Sequence, residues 1–162
     1  MDRRRLLKLL FSLPWSHLFT SLGFAQELTV DISSLRSAWD ALEFSLPTRG
    51  TLPGTDKSPQ IPAVVIRLAG GMKTEDALFV ASRICPHERC ELLYFKDPNQ
   101  LQQIFRVRAE NPVLACPCHL SVFDLRQEGK VINGPAPRPP FRLRFRVQGN
   151  KLMILGLEGP GR

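Results

Sequence analysis

Short apolar runs separated by turn residues dominate the chain after Gln26. Residues 63–68 (AVVIRL) and 77–82 (ALFVAS) each have the length of a strand, and the first is rich in β-branched side chains. Near the C-terminus, residues 141–147 and 151–157 flank a Gly-Asn pair that is typical of a hairpin turn. The pattern predicts a mostly antiparallel β domain.

Two segments depart from the strand pattern. Residues 33–44 have helical spacing, because Leu35, Trp39 and Leu42 would share one face, and we expect a helix there. Residues 48–62 are rich in proline, glycine and polar side chains, so we expect a loop.

The charge of the chain adds little to the functional picture. The net charge is +7, and the first eight residues contribute +3 of it. Arg142, Arg144 and Arg146 alternate along a predicted strand, which places them on one face, and we expect that face to be solvated. No nucleic-acid-binding motif accompanies these charges, so we predict no nucleic-acid partner.

The first 25 residues have the three parts of an export signal: a basic start, an apolar stretch and a small residue before a polar segment. The run R-R-R-L-L-K at residues 3–8 resembles a twin-arginine signal. A membrane anchor is the alternative, although residues 9–25 are shorter than the roughly 20 apolar residues that a spanning helix needs. We expect export to the periplasmic side, with this segment either cleaved or kept as an anchor, and residues 26–162 forming one domain.

The four cysteines fall into two tight groups, C-P-H-E-R-C at residues 85–90 and C-P-C-H at residues 116–119. Each group contains a histidine at very short spacing, which indicates a metal site with a disulfide as a further option. Zinc accepts such ligands, but the single residue between Cys85 and His87 suits it poorly. Catalytic Cys–His chemistry is a weaker alternative, because no third orienting group is evident.

This pair of groups resembles the Rieske proteins of respiratory chains, from about residue 80 to residue 140. The resemblance implies an antiparallel β sandwich with a cluster-binding subdomain, about residues 82–140, inserted between strands. It also implies a 2Fe–2S cluster in which two cysteines bind one iron and two histidines bind the other. The implied ligands are Cys85, Cys116, His87 and His119.

The same resemblance implies roles for further residues beside the cluster. Cys90 and Cys118 correspond to a pair that forms a disulfide between the two loops. A proline loop that covers the cluster corresponds to Gly134, Pro135, Ala136 and Pro137. Rieske ferredoxins of cytoplasmic oxygenases usually lack the two extra cysteines and an export signal, so we do not expect a protein of that kind.

Five positions near the predicted ligands bear on the reduction potential and on the outer end of the site. Ser121 stands where high-potential relatives carry a serine that donates a hydrogen bond to cluster sulfur, and Phe123 stands where they often carry tyrosine. One donor is therefore missing, and we expect a potential below that of the highest-potential members. Glu88-Arg89 replaces a common apolar-plus-glycine pair, and Leu120 replaces a usual glycine.

The resemblance implies an electron-transfer subunit that performs no bond chemistry alone. We expect it to relay electrons from quinol to a c-type cytochrome among the other subunits of a cytochrome bc-type complex, with His119 at the quinol. The alternative is the small subunit of a molybdenum enzyme that resembles arsenite oxidase. Residues 97–112 are interpreted as an insertion, either an extended hairpin or a partner contact.

Overall fold

The computed structural model describes residues 28–48, 59–68 and 75–158. The predicted export segment, residues 1–25, lies outside them. Among the described residues, no helix combines the length and the apolar character needed to cross a membrane. The strands are β1 (Leu28–Asp31), β2 (Ala41–Pro47), β3 (Gln60–Arg67), β4 (Leu78–Ser82), β5 (Leu93–Phe95), β6 (Val113–Ala115), β7 (Val122–Asp124), β8 (Lys130–Asn133), β9 (Leu143–Gln148) and β10 (Lys151–Leu157), and the α-helix is α1 (Pro98–Phe105).

The strands form three antiparallel sheets in the orders β1-β10-β9, β2-β3-β4 and β5-β6-β7-β8. The sheet β2-β3-β4 is the middle layer. Val64 and Ile66 pack into the core beside the cysteine loops, whereas Ala63 and Val65 pack against the β1-β10-β9 sheet. These residues belong to β3, and burial on both faces of this strand explains its continuous run of apolar side chains. The predicted β-sandwich fold is confirmed.

The sheet β5-β6-β7-β8 belongs to an inserted subdomain, residues 83–140, whose two ends lie next to each other at the edge of the sandwich. The chain leaves at Ser82 and returns at Phe141, where the Ser82 amide donates to the Phe141 carbonyl at 2.8 Å. Ala81 and Arg142 form a bridge beside this bond. All four cysteines lie between these two points, so the sandwich supports their loops from one side.

The predicted C-terminal hairpin is confirmed, because β9 and β10 pair around a turn at Gly149 and Asn150. Arg144 and Arg146 are exposed on β9, as expected.

The prediction that Arg142 lies on the same solvated face is wrong. Its guanidinium lies over the Phe79 ring, 4.1 Å from the centroid, and its Nε donates to the Val80 carbonyl at 3.3 Å. Arg142 precedes the first residue of β9 and lies where the inserted subdomain returns to the sandwich. Its tertiary contacts there override the alternation of buried and exposed side chains along the strand.

The predicted helix at residues 33–44 is also wrong: turns cover residues 33–40, and β2 follows. Leu35 packs in the core between the two sandwich sheets, but Trp39 packs against the core beside the cysteine loops, so they do not share a helical face. Asp40 accepts from the Arg36 and Ser37 amides at 3.0 and 2.7 Å. Trp39 has a φ of 65°, which a helix excludes.

The loop predicted at residues 48–62 is wrong at its end, since residues 60–62 belong to β3; residues 49–58 lie outside the described part of the chain. Pro62 is paired with Ser45 of β2, but pairing with β4 begins only at Ala63. Its carbonyl accepts the Arg83 amide at 2.7 Å. Proline is tolerated here because it lies beyond the three-stranded part of the sheet.

The insertion at residues 97–112 contains helix α1, so the extended-hairpin interpretation is wrong. Asp97 caps the helix by accepting the Asn99 amide at 2.9 Å, and Pro98 occupies its first turn. Leu101 and Phe105 pack against the β5–β7 face. The Asp-Pro pair was a usable helix-start signal, but eight residues give too short an apolar face to recognise.

Candidate metal centre

The two cysteine loops have the same backbone hydrogen bonds. In the first, the Cys85 amide donates to the Cys90 carbonyl at 2.8 Å, and the Arg89 amide donates back to the Cys85 carbonyl at 3.0 Å. In the second, the Cys116 amide donates to the Ser121 carbonyl at 2.8 Å, and the Leu120 amide donates to the Cys116 carbonyl at 3.1 Å. Each loop is therefore a closed turn that begins at a cysteine.

The fifth residue of each loop adopts a left-handed backbone conformation, with φ of 60° at Arg89 and 55° at Leu120. These are two of the positions where the chain lacks the glycine that the resemblance leads one to expect. Glycine adopts this conformation without strain, whereas a residue with a Cβ does not. The departures therefore leave backbone strain within the loops.

Arg89→Gly is expected to stabilise the protein by about 0.5 to 1 kcal/mol. Relief of left-handed strain contributes about 1 to 2 kcal/mol, and the larger entropy loss of glycine offsets about 0.5 to 1. The midpoint of urea unfolding measures the change. Arg126→Gly is the control, because Arg126 is exposed in a single 3₁₀ turn and lacks a positive φ. A loss of stability in both variants would contradict this explanation.

A disulfide joins the two loops, between Cys90 and Cys118, with their Cα atoms 6.5 Å apart. The predicted pairing is thus present. The other two cysteines, Cys85 and Cys116, are free and buried.

The free cysteines lie together at the base of the loops. Cys85 and Cys116 are both buried in the core that lies beside the loops. Burial raises the pKa of the Cys85 thiol, and its neighbour Cys116 raises it further, while the backbone amides of His87 and Glu88 lower it. A bound cation would reverse this balance, because a coordinating thiol loses its proton.

The two histidines lie together at the outer end of the loops. The rings of His87 and His119 are 5.0 Å apart between centroids and nearly perpendicular. Nitrogen atoms of both rings and a carboxylate oxygen of Glu88 lie within 4.8 Å of one another. His119 is 45% exposed, and its Nδ1 is 3.7 Å from Glu88 Oε2.

One buried atom tests whether this site fits a metal. His87 Nδ1 is buried and has no hydrogen-bond partner within the described part of the chain. Burying a polar nitrogen without a partner is unfavourable, so such an atom calls for an explanation. A metal ion on this nitrogen satisfies it, and the two free cysteines beside it supply the thiolates that iron–sulfur clusters require. The residues present fit a 2Fe–2S cluster; the ligand assignments themselves stay predictions.

The predicted covering loop packs against the second cysteine loop. The Ala136 amide donates to Ser121 Oγ at 3.1 Å, and Ala136 is buried in the same core as Cys85 and Cys116. Ser121 is fully buried, and its hydroxyl proton has no acceptor among the described residues. A buried donor without an acceptor is what a serine needs if it is to donate to a sulfur atom, but this role stays a prediction.

Asn133 is a contributor that sequence reasoning missed. Its Nδ2 donates to the Leu120 carbonyl at 2.7 Å and so ties the end of β8 to the second loop. The signal was an asparagine directly before Gly134. Its partner is thirteen residues away, and sequence spacing does not reveal that contact.

Residues 47–152 match the Rieske [2Fe-2S] domain family. This range is more than half of the chain and contains both loops, the disulfide and the covering loop. The chain belongs to the Rieske family. The Rieske domain binds a 2Fe–2S cluster, and the predicted cofactor is therefore confirmed. The family match favours this cluster over the zinc alternative.

Two solved structures are similar to this Rieske domain. The soluble domain of the Rieske protein II (soxF) from Sulfolobus acidocaldarius is 20% identical, with a TM-score of 0.51, over 83% of this chain and 80% of that chain. The cyanobacterial plasma membrane Rieske protein PetC3 from Synechocystis PCC 6803 is 21% identical, with a TM-score of 0.41, over 68% of this chain and 97% of that chain. At this identity, the first likeness establishes a shared fold.

Proposed function

We propose that this Rieske protein is an electron-transfer subunit of a respiratory oxidoreductase, relaying single electrons from quinol to a c-type cytochrome in a cytochrome bc-type complex. Cys85 and Cys116 hold one iron and His87 and His119 hold the other. The observation that carries this assignment is the unpartnered buried Nδ1 of His87 beside the ring of His119, above two free buried cysteines. When bound, a 2Fe–2S cluster with this ligation accepts and releases one electron at a higher potential than an all-cysteine cluster.

The burial of the four ligands differs from one side of the site to the other, which supports a relay role. Cys85 and Cys116 are buried in the core and keep water from the sulfur side. The ring of His119 is exposed at the outer end, where a quinol or a haem edge can contact it. Electrons therefore have a short path to a partner at the histidine end.

Phe123→Tyr is expected to raise the reduction potential. Phe123 is fully buried in the same core as Cys85 and Cys116, so a hydroxyl added there is shielded from water and lies in the core that contains both cysteines. A hydrogen bond to the more negative reduced state would favour it by about 1 to 2 kcal/mol, on the order of tens of millivolts for one electron. Protein-film voltammetry measures the midpoint potential. Phe145→Tyr is the control, because Phe145 packs against the core between the two sandwich sheets. An unchanged or lower midpoint would count against a hydrogen bond at this position.

Electron paramagnetic resonance of the dithionite-reduced full chain tests the cluster itself. We expect an average g value below that of all-cysteine clusters, with about two iron atoms and two acid-labile sulfides per chain. A silent sample that contains zinc would overturn the proposal. Cys85→Ser and His87→Ala should each abolish the signal, whereas Ser37→Ala, in an exposed turn, should keep it.

We also propose that the protein is exported to the periplasmic side, with residues 1–25 as its signal or anchor. The disulfide supports an oxidising compartment, because such bonds persist there and are rare in the cytosol. Fractionation of cells that express the full chain tests this, with an Arg3→Lys/Arg4→Lys/Arg5→Lys variant expected to stay in the cytosol. An unchanged distribution of that variant would exclude the twin-arginine route.

A second candidate complex is the arsenite-oxidase-like molybdenum enzyme, and the charged tip favours it. Glu88 is 60% exposed next to His119, where the bc-type pattern has an apolar residue. Purification of the native complex separates the two candidates. A cytochrome b in the complex supports the first, and a large molybdopterin subunit supports the second.

A further inference from the structure

A buried arginine lies between β4 and the first cysteine loop. Arg83 is only 7% exposed, although arginine is seldom buried at all. Its guanidinium contacts the carboxylates of Glu43 and Glu91, the latter at 3.0 Å, and its Nε donates to the Leu92 carbonyl at 2.9 Å. Every branch of the planar guanidinium therefore has its own acceptor.

These contacts join the two ends of the first cysteine loop. Arg83 stands two residues before Cys85, whereas Glu91 and Leu92 follow Cys90 directly. The Leu92 amide also donates to the Arg83 carbonyl at 2.8 Å, and Ile84 and Glu91 form a bridge. The entry and the exit of the loop are thus held together by one side chain and its backbone.

Arg83 also fixes both ends of this loop to the middle sheet, β2-β3-β4. Glu43 belongs to β2, and the Arg83 amide donates to the Pro62 carbonyl at the start of β3. The disulfide from Cys90 then transmits this anchorage to the second loop. His87 and His119 therefore keep their relative positions partly through Arg83.

Lysine cannot replace this arrangement, because it has one charged nitrogen and no planar fork. Loss of the arginine would also leave two carboxylates, both about half exposed, without their shared cation. Uncompensated negative charge near the site disfavours a reduced state that is itself more negative.

We propose that Arg83 is a positioning residue: it holds the first cysteine loop in register with the second, and its charge, balanced by Glu43 and Glu91, raises the reduction potential of the site. This inference rests on the proposed function, because it concerns the same 2Fe–2S site.

The test compares Arg83→Gln and Arg83→Lys with a matched loss of charge, Arg144→Gln. Arg144 is exposed on β9 and has no ion pair within the described part of the chain. Three quantities are measured on the full chain: the paramagnetic line shape, the midpoint potential, and the rate of cluster loss in mild denaturant with a chelator.

We expect Arg83→Gln to lose its cluster about tenfold faster, at the low end of the roughly 10- to 100-fold effect of residues that hydrogen-bond directly to metal ligands, because Arg83 acts through the ends of the loop. Its midpoint should fall, and its line shape should broaden. Arg83→Lys should recover the midpoint while the cluster is still lost quickly. Arg144→Gln should match the wild type in all three measurements.

Two carboxylate variants keep the proposal falsifiable if Arg83→Gln does not fold. Glu91→Gln and Glu43→Gln should each raise the midpoint, because each removes one negative charge beside the retained cation. Wild-type midpoints in both, or a wild-type midpoint and line shape in a folded Arg83→Gln, would overturn the proposal. A wild-type chain without a Rieske signal would instead refute the proposed function and, with it, this proposal.

Discussion

Replacing Gly134 with alanine is expected to lower the free energy of unfolding by about 1.5 to 4 kcal/mol and to reduce cluster retention. A Cβ built on Gly134 would lie 2.5 Å from Ser121 Cα, 2.6 Å from Ser121 N and 2.7 Å from the Leu120 carbonyl oxygen. All three are backbone atoms of the second cysteine loop, so no side chain can move away. The φ of +84° adds left-handed strain of about 1 to 2 kcal/mol to an overpacking penalty of about 1 to 3, and the smaller entropy loss of alanine offsets about 0.5 to 1.

This variant therefore tests whether close contact between the covering loop and the second loop is required. Gly149→Ala is the matched control, because Gly149 also has a positive φ, +60°, but nothing lies within 4 Å of its Cβ position. We expect the control to lose only about 0.5 to 1 kcal/mol and to keep its cluster, because the smaller entropy loss of alanine offsets part of the left-handed strain of about 1 to 2 kcal/mol. Urea unfolding and the visible absorbance per chain measure the two effects, and equal losses in both variants would contradict the contact argument.

Removing the disulfide with Cys90→Ala/Cys118→Ala is expected to lower the free energy of unfolding by about 3 to 4 kcal/mol. The cross-link closes a loop with a sequence separation of 28 residues, and chain entropy gives a stabilisation of this size for such a loop. The double variant avoids leaving one free thiol beside the site, where it could compete as a ligand. Faster cluster loss should accompany the lower stability, because the two loops are then joined only by packing and by the cluster itself.

Reduction of the wild type provides the control for this experiment. The wild type treated with a dithiol should approach the stability of the double variant, and the double variant should not respond to the reagent. Equal stability of the variant and the oxidised wild type would show that the bond does not brace the folded state.

The loop sequences determined much of the candidate site. Two cysteine groups, each with its own histidine, specify ligand types, and the resemblance assigned the disulfide between Cys90 and Cys118, which is present. Short spacing makes such a prediction possible, because residues within one tight turn stay close in any fold. The β-branched run of β3 and the turn at Gly149 were equally readable, because period and turn chemistry are local properties.

Other features depended on residues far away in the chain. Trp39 and Leu35 were assigned to one helical face, but they pack into different cores on opposite sides of the middle sheet. The Arg142 side chain was expected to be exposed to solvent, but it packs on the ring of Phe79 where the inserted subdomain returns to the sandwich. Both errors arise because local spacing does not specify which sheet a side chain will meet.

The sequence by itself therefore determined the kind of centre and most of the strands. Only the tertiary structure decided how that centre is held: the matching left-handed turns at Arg89 and Leu120, the close approach of Gly134 to Ser121, and the clamp of Arg83 on Glu43 and Glu91. Ligand identity is a property of a few adjacent residues, whereas their support comes from backbone atoms and charges that the fold alone brings together.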